Sequence, residues 1–152
     1  MILTGPTIRN LAILDPHVAR GVAHGMSYGE GLAGYDIRLG EAVHLIAGRT
    51  TLGVSMERFA MPRDVLGRVC DKSTLIRQGV RVGTTVIEPG WCGYLTIELV
   101  WFPLNSSRYM IIEAGTPIAQ VIFERIECET AGYAGKYQDQ PAQPVRAMME
   151  EA

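Results

Sequence analysis

The chain has 152 residues, of which 47% are hydrophobic and 20% charged, so it can bury one compact core and is too short for two ordinary domains. Its formal net charge is −2 and its basic residues are scattered, which argues against a nucleic acid polymer as a partner. Residues 1–6 lack a basic segment followed by a long apolar one, and no apolar run approaches the roughly 18 residues of a membrane span. We therefore expect no membrane partner and a cytoplasmic protein.

Most of the predicted elements are short strands. The 17 glycines and 8 prolines punctuate the chain, and β-branched or aromatic runs lie between them. This pattern favours an all-β sandwich or barrel. In chain order, the predicted strands are Tyr35–Leu39, Ala42–Ile46, Thr51–Met56, Gly79–Val82, Tyr94–Phe102, Tyr109–Ile112 and Ile118–Arg125.

Two short helices are also predicted. The first covers Gly5–Leu11, with Thr4 as its capping residue. The second covers Ser73–Gln78, capped by Asp71 or by its own first serine and ended by Gly79.

The start of the second helix has the composition of an anion pocket. Free backbone N–H groups at a helix start attract anions, and Lys72, Ser73 and Arg77 add cationic and hydroxyl side chains there. We expect phosphate chemistry to be local to this segment.

The strand Tyr94–Phe102 carries one acidic residue, Glu98. Because side chains alternate across a strand, Glu98 and Thr96 are expected on the face opposite the apolar row. The apolar row itself consists of Leu95, Ile97, Leu99 and Trp101.

The cysteines and histidines do not form a zinc motif. The cysteines are an odd number and widely spaced, which predicts free, buried thiols in a reducing cytoplasm. The histidines lack the H-x-E and P-C-x-x-C partners of a catalytic zinc site. We therefore expect no catalytic metal. The residues concerned are Cys70, Cys92, Cys128, His17, His24 and His44.

Residues 127–152 differ in composition from the rest. They are rich in Gly, Gln, Pro and Ala, and their apolar residues have no steady period. By itself this composition is typical of a mobile tail. We therefore divide the chain into a β-domain, residues 1–126, and a C-terminal tail, residues 127–152.

Three segments of the chain form one ordered set of motifs: AGYDIRLG at 33–40, DKSTLIRQG at 71–79 continuing to VIEPGWCGYLTIE at 86–98, and GTPIAQVIF at 115–123, followed by GKYQDQ at 135–140. Together they resemble the dCTP deaminase family, a branch of the trimeric dUTPase-like nucleotide enzymes. The resemblance implies a distorted β-barrel or jelly roll that assembles as a homotrimer with active sites between neighbouring subunits. It also implies hydrolytic deamination of dCTP to dUTP and ammonia.

By this resemblance, Glu98 is the general acid and base that moves protons between a water, ring N3 and the leaving ammonia. Ser73 and Arg77 hold the water and orient Glu98, so that no zinc is needed. Lys72 stands where the family more often has arginine and can hold a triphosphate, and Thr74 replaces a frequent serine.

The resemblance also implies the residues that bind the rest of the nucleotide. The hairpin with Thr85 and Val86 receives the sugar and base, with Glu88 at the sugar 3′-hydroxyl and Trp91 beside the sugar ring. The family usually has aspartate at the position of Glu88, and the loop after Arg77 is shorter here. The tail folds over the nucleotide as a lid and Mg²⁺ rides on the triphosphate. The residues implied to complete the site are Gln120, Tyr133, Lys136, Tyr137 and Gln140.

Three alternatives stay open at this point. A dUTPase would release dUMP and pyrophosphate from dUTP, but would normally carry an apolar residue in place of Glu98 and end in a glycine-rich arginine motif. A bifunctional enzyme would deaminate and then hydrolyse, with Glu88 activating the second water. A regulator on the same scaffold would bind nucleotide without catalysis. The short length favours a phage or streamlined bacterial source.

Overall fold

In the computed structural model, which describes residues 1–150, the chain folds into short strands and two short helices. The helices are α1 (Gly5–Asn10) and α2 (Ser73–Ile76). The strands are β1 (Leu14–Asp15), β2 (Gly21–Ala23), β3 (Met26–Glu30), β4 (Tyr35–Arg38), β5 (Val43–Ile46), β6 (Thr50–Ala60), β7 (Val65–Asp71), β8 (Val80–Val82), β9 (Val86–Ile87), β10 (Cys92–Trp101), β11 (Tyr109–Ile112) and β12 (Pro117–Arg125).

The strands form three antiparallel sheets. The first has the order β2-β3-β4-β12-β7-β9, the second β1-β6-β10-β8, and the third pairs β11 with β5. Neighbouring strands are often far apart in sequence, as where β12 pairs with both β4 and β7. One consequence is that residues from remote segments meet in each sheet.

A single apolar core lies between the sheets. Tyr35, Phe59 and Phe123 are fully buried in it. The Phe59 ring lies 6.0 Å from the Trp91 ring and 6.4 Å from the Phe123 ring, at tilted angles that aromatic pairs favour. Because Phe59 belongs to β6 and Phe123 to β12, these contacts join the second sheet to the first.

The core also encloses one carboxyl group, that of Glu57, whose exposed fraction is 0%. The Arg38 side chain donates to it at 2.8 Å and the Arg38 backbone N–H donates at 2.9 Å. Burial raises the pKa of Glu57 above its ordinary value, although these bonds from Arg38 oppose the shift. Arg38 in turn lies 4.4 Å above the Tyr28 ring.

The seven predicted strands are all confirmed, with ends that differ by a few residues. The largest element that the pattern missed is β7, which lies inside the six-stranded sheet. Gly67 and the exposed Arg68 interrupt its apolar run. Ile87 packs directly over Gly67 and leaves no room for a side chain there, since a Cβ at position 67 would lie 3.1 Å from the Ile87 Cβ.

The predicted capping residues form no side-chain cap at either helix. Thr4 occupies the capping position of α1, but its hydroxyl lies 3.2 Å from the Thr7 hydroxyl and bonds no backbone N–H. Lys72 precedes α2 without a side-chain cap. The Asp71 carboxylate instead accepts from the Val82 N–H at 2.7 Å, because the chain turns back toward β8.

The prediction about the cysteines is right in one respect and wrong in another. Cys70, Cys92 and Cys128 are free thiols, as expected. They are not buried: the first two are partly exposed and Cys128 is exposed, because it lies beyond β12 in the tail. Within residues 1–150, no helix has the length and apolar content needed to cross a bilayer.

Candidate active site

A cavity of about 380 Å³ lies beside β10. It is bounded by the C-terminal tail and by residues 83–91, the segment around β9 that is called the β9 hairpin below. Small-molecule sites are commonly about 300–1,000 Å³. Its lining residues come from β6, the β9 hairpin, β10 and the tail, and they are Leu52, Thr85, Val86, Ile87, Glu88, Trp91, Leu95, Thr96, Glu98, Tyr133, Tyr137, Gln140, Val145 and Ala147. Eight of the residues implied by the resemblance therefore meet here: Thr85, Val86, Glu88, Trp91, Glu98, Tyr133, Tyr137 and Gln140.

Glu98 reaches this cavity from the middle of its sheet. On β10 it lies opposite Leu52 of β6 on one side, and its backbone C=O accepts from the Gly83 N–H at 2.8 Å on the other. Burial raises the pKa of the half-buried Glu98 carboxyl above its ordinary value, and a hydrogen bond from its own backbone opposes the shift. A carboxyl with a raised pKa can both take and return a proton near neutral pH.

The alternation predicted for β10 holds from Ile97 to Trp101 but fails at Leu95. Leu95 is half-buried and lines the cavity rather than joining the apolar row. The register with β6 shifts between Tyr94 and Thr96, and the Leu95 N–H donates to the Ser55 hydroxyl at 2.8 Å instead of a strand carbonyl. This irregularity turns the Leu95 side chain toward the cavity.

The β9 hairpin and the start of β10 are fixed by Trp91. Its side chain is 5% exposed and its indole N–H donates to the Tyr137 C=O at 2.6 Å. Gly90, with φ of +81°, makes the turn before it, and a Cβ there would lie 2.7 Å from the Gly132 Cα. The hairpin and the tail therefore pack backbone to backbone.

The tail lies against the β-domain through its glutamines. Gln138 bridges the hairpin: its amide oxygen accepts from the Cys92 N–H at 3.0 Å and its amide nitrogen donates to the Gly90 C=O at 3.1 Å. The Gln140 amide oxygen accepts from the Thr96 N–H and hydroxyl at 3.3 and 3.1 Å. A tail that composition alone describes as mobile is thus held by specific hydrogen bonds.

The next part of the tail covers the cavity mouth. The Val145 N–H donates to the Thr96 hydroxyl at 3.0 Å, and Val145 and Ala147 line the cavity. The Met148 N–H donates to the Tyr137 hydroxyl at 2.9 Å. Residues 137–148 therefore form a loop whose two ends meet at the Tyr137 hydroxyl.

The remaining implied residues lie outside this cavity. They are Lys72, Ser73, Thr74, Arg77, Gln120 and Lys136. The Lys72 ammonium bonds the Asp36 carboxylate at 2.9 Å, and Asp36 pairs with Gln120 across β4 and β12. Ser73 and Arg77 are exposed on the adjoining helix α2. These residues form a second group, the α2 group, which consists of Lys72, Ser73, Thr74, Arg77 and Gln120.

Lys136 belongs to neither group. Its side chain lies 3.6 Å from the Glu150 carboxylate and 5.5 Å from the Tyr137 ring centroid. It is therefore at the outer side of the tail, next to a residue that lines the cavity.

Sequence reasoning missed several lining residues. Thr96 could have been found, since it is two positions from Glu98 on the same strand face. Leu52 could not, because only the β6–β10 register brings it beside Glu98. Val145 and Ala147 lie in a segment without periodicity, and Gln138 contacts only backbone, so none of the three has a sequence signal.

Within residues 1–150, no group of three or more His, Cys, Asp or Glu side chains is arranged to hold a metal ion. The cavity itself is lined by two carboxyl groups, those of Glu88 and Glu98.

Comparisons with known proteins agree on one family and one fold. The family model described as dCTP deaminase-like matches residues 30–126. The dCTP deaminase of Roseiflexus castenholzii is 34% identical to this chain over an alignment of 167 positions, gaps included, which covers 87% of this chain and 89% of that protein. The strands β9 and β10, which both line the cavity, lie inside the matched region.

Solved structures show the same fold at lower identity. The 2′-deoxycytidine 5′-triphosphate deaminase from Agrobacterium tumefaciens superposes with a TM-score of 0.63 at 18% identity, covering 80% of this chain and 47% of that chain. A mutant dUTPase from phage phi11 of S. aureus, described with a structural Mg(II) ion, superposes with a TM-score of 0.55 at 16% identity, covering 68% of this chain and 84% of that chain.

Proposed function

The chain belongs to the dCTP deaminase-like family, and we propose that it converts dCTP and water to dUTP and ammonia with Glu98 as the proton carrier. The observation that carries the proposal is a half-buried carboxyl with a raised pKa on the wall of a cavity of nucleotide dimensions. Relatives named dCTP deaminase over most of the chain support the same substrate.

The reaction proceeds in two stages. The Glu98 carboxylate takes a proton from a water as the oxygen bonds to C4 of cytosine, and passes that proton to ring N3. The tetrahedral carbon then collapses: Glu98 moves the proton of the new C4 hydroxyl to the amino nitrogen, the C4–N4 bond breaks, ammonia leaves, and the C4 carbonyl of uracil forms. Glu98 ends as it began, so one carboxyl group is sufficient for both transfers.

Substrate binding divides between the two groups of residues. Thr85, Val86, Glu88 and Trp91 receive the base and sugar in the cavity, with Glu88 at the 3′-hydroxyl. The α2 group supplies the cations and hydroxyls suited to phosphate oxygens and to a polarised water. Mg²⁺ enters as part of the substrate, bound to triphosphate oxygens.

A homotrimer brings these groups together. In one protomer the α2 group lies outside the cavity that Glu98 lines. If a neighbouring subunit supplies its α2 group to each cavity, the site gains Ser73 and Arg77 beside Glu98. Each active site is then built from residues of two neighbouring subunits.

Subunit mixing tests this arrangement. Glu98→Gln and Arg77→Ala proteins, each inactive alone, are unfolded together and reassembled in equal amounts. Sites that combine an intact Glu98 with a neighbour's intact Arg77 should number about a quarter of the total by random assembly, so about a quarter of wild-type turnover should return. Turnover that stays at background while trimers form would place both residues in one chain.

The tail acts as a lid in this proposal. Its contacts with Gly90, Cys92 and Thr96 are hydrogen bonds that can break without disturbing a strand. Opening admits the nucleotide, and closing over it excludes bulk water while Tyr137 and Gln140 face the ligand. Lys136, on the outer side, then exchanges the Glu150 carboxylate for a phosphate.

Hydrolysis of dUTP to dUMP and pyrophosphate is a second candidate activity. Glu88 lines the same cavity as Glu98 and is exposed, so a second carboxylate is available to activate a water. Chromatography of products from dCTP and, separately, from dUTP distinguishes the activities. Deamination alone gives dUTP from dCTP and leaves dUTP unchanged, whereas a bifunctional enzyme gives dUMP and pyrophosphate from both.

A further inference from the structure

Gly83 lies directly beside Glu98, and its backbone conformation does not explain why this residue is glycine. It follows β8, whose last residue Val82 pairs with Leu99, and its N–H donates to the Glu98 C=O at 2.8 Å. Its φ is not positive, unlike that of nine other glycines in residues 1–150, so an L side chain would suit the backbone. The reason for glycine must therefore be space.

The space belongs to the Glu98 side chain. A Cβ at position 83 would lie 3.2 Å from the Glu98 Cβ and 3.2 Å from its Oε2, where ordinary contacts between carbon atoms are about 3.5–4.0 Å. On the other flank of Glu98, the cross-strand residue is the larger Leu52. The carboxyl thus extends toward the side on which the neighbouring strand has no side chain.

No ion pair or hydrogen bond from another residue in 1–150 holds the carboxyl in that direction. Within residues 1–150, Glu98 has no ion pair, and the hydrogen bond that affects it comes from its own backbone. Its position is therefore set by the strand that carries it and by the room left on each flank.

We propose that Gly83 is a positioning residue for the deamination reaction, which keeps open the space occupied by the Glu98 carboxyl and so fixes its approach to C4. This inference rests on the proposed function for its kinetic consequence but not for its structural one. Displacing a reacting group by about 1 Å can cost about 100-fold in rate.

The test compares Gly83→Ala with a matched control, Gly31→Ala. Both glycines are partly exposed and neither has a positive φ, and a Cβ at Gly31 would lie 3.3 Å from the Gly34 carbonyl oxygen, remote from the cavity. The carboxyl has to give way by only a few tenths of an ångström, so we expect Gly83→Ala to lower kcat for dCTP about three- to tenfold, with KM and the melting temperature close to wild type. Gly31→Ala should leave kcat unchanged.

Two further readouts separate positioning from simple destabilisation. Glu98→Asp shortens the acid and makes room for the added methyl, so Gly83→Ala should cost much less kcat in that background than in the wild type. In the free protein, carbon-13 NMR of the Glu98 carboxyl should show its titration midpoint moved upward by Gly83→Ala, because the methyl replaces solvent beside Oε2.

These outcomes distinguish the inference from the proposed function. A Gly83→Ala protein with unchanged kcat and an unchanged titration midpoint would overturn the positioning role while leaving the deaminase intact. A wild-type protein that produces no ammonia from dCTP would overturn the function, and the NMR midpoint would still decide whether Gly83 controls the Glu98 carboxyl.

Discussion

Replacing Gln138 by Ala should open the tail without unfolding the β-domain. The Gln138 side chain makes two hydrogen bonds with the hairpin backbone, at 3.0 and 3.1 Å. A protein hydrogen bond contributes about 0.5–1.5 kcal/mol net, so the closed tail loses about 1–3 kcal/mol. Since 1.4 kcal/mol is a factor of ten, the open fraction should rise about 5- to 150-fold.

Hydrogen exchange measures this change residue by residue. The Asp139 N–H donates to the Cys92 C=O at 2.9 Å and the Tyr94 N–H donates to the Gln140 C=O at 3.0 Å, so both amides report tail opening. Both should exchange about 5- to 150-fold faster in Gln138→Ala, whereas amides in the centre of β12 should keep their wild-type rates. The control, Gln143→Ala, removes an exposed side chain with no hydrogen bond within residues 1–150 and should change neither rate.

Two hydrogen-exchange results would contradict a tail that opens by itself. Equal protection of Asp139 in Gln138→Ala and wild type would mean that the amide bridge does not hold the tail. Faster exchange throughout the β-domain would mean that tail and domain open as one unit, which is incompatible with a lid.

The other predictions concern the carboxyl groups of Glu98 and Glu57 and the tail. Glu98→Gln should lower kcat about 10²- to 10⁴-fold while dCTP binding stays within a few-fold of wild type. Because burial raises the pKa of Glu98, its ionised form costs stability as pH rises above the ordinary value, so Glu98→Gln should melt higher than wild type at pH 8 and not at pH 4. Arg38→Met should lower the free energy of unfolding by about 3–5 kcal/mol at pH 8, because the Glu57 carboxylate loses its partner, and by less near pH 5, where protonation relieves the loss; an equal loss at both pH values would contradict this. Removing residues 135–152 should raise KM for dCTP at least about tenfold while the remaining β-domain still melts in one cooperative transition, and an unfolded product would contradict the lid.

The strands and the acidic residue could be predicted from sequence because alternation is a local signal. Apolar residues two apart identified β10, and the same rule set Glu98 on the opposite face. The rule fails at Leu95, where a register irregularity in the partner strand reverses the side chain. β7 was missed for a related reason: Gly67 is small because of Ile87, a residue twenty positions away.

The composition of the cavity could be predicted only in part. The residues that resemble family motifs, such as Trp91 and Glu88, do line it. The contacts that close it cannot be read from sequence, because Gln138 binds backbone atoms and Val145 binds one hydroxyl. The residues of the α2 group stay a prediction from the resemblance, because one chain does not bring them to the cavity.

The most direct measurement is ammonia release from dCTP with Mg²⁺ by the wild type and by Glu98→Gln, with Glu113→Gln as an exposed-carboxyl control. The proposed mechanism predicts one ammonia and one dUTP per dCTP for the wild type and the control, and turnover lowered at least about 100-fold for Glu98→Gln at nearly unchanged dCTP affinity. Wild-type protein that binds dCTP without releasing ammonia, or Glu98→Gln that turns over at the wild-type rate, would contradict it.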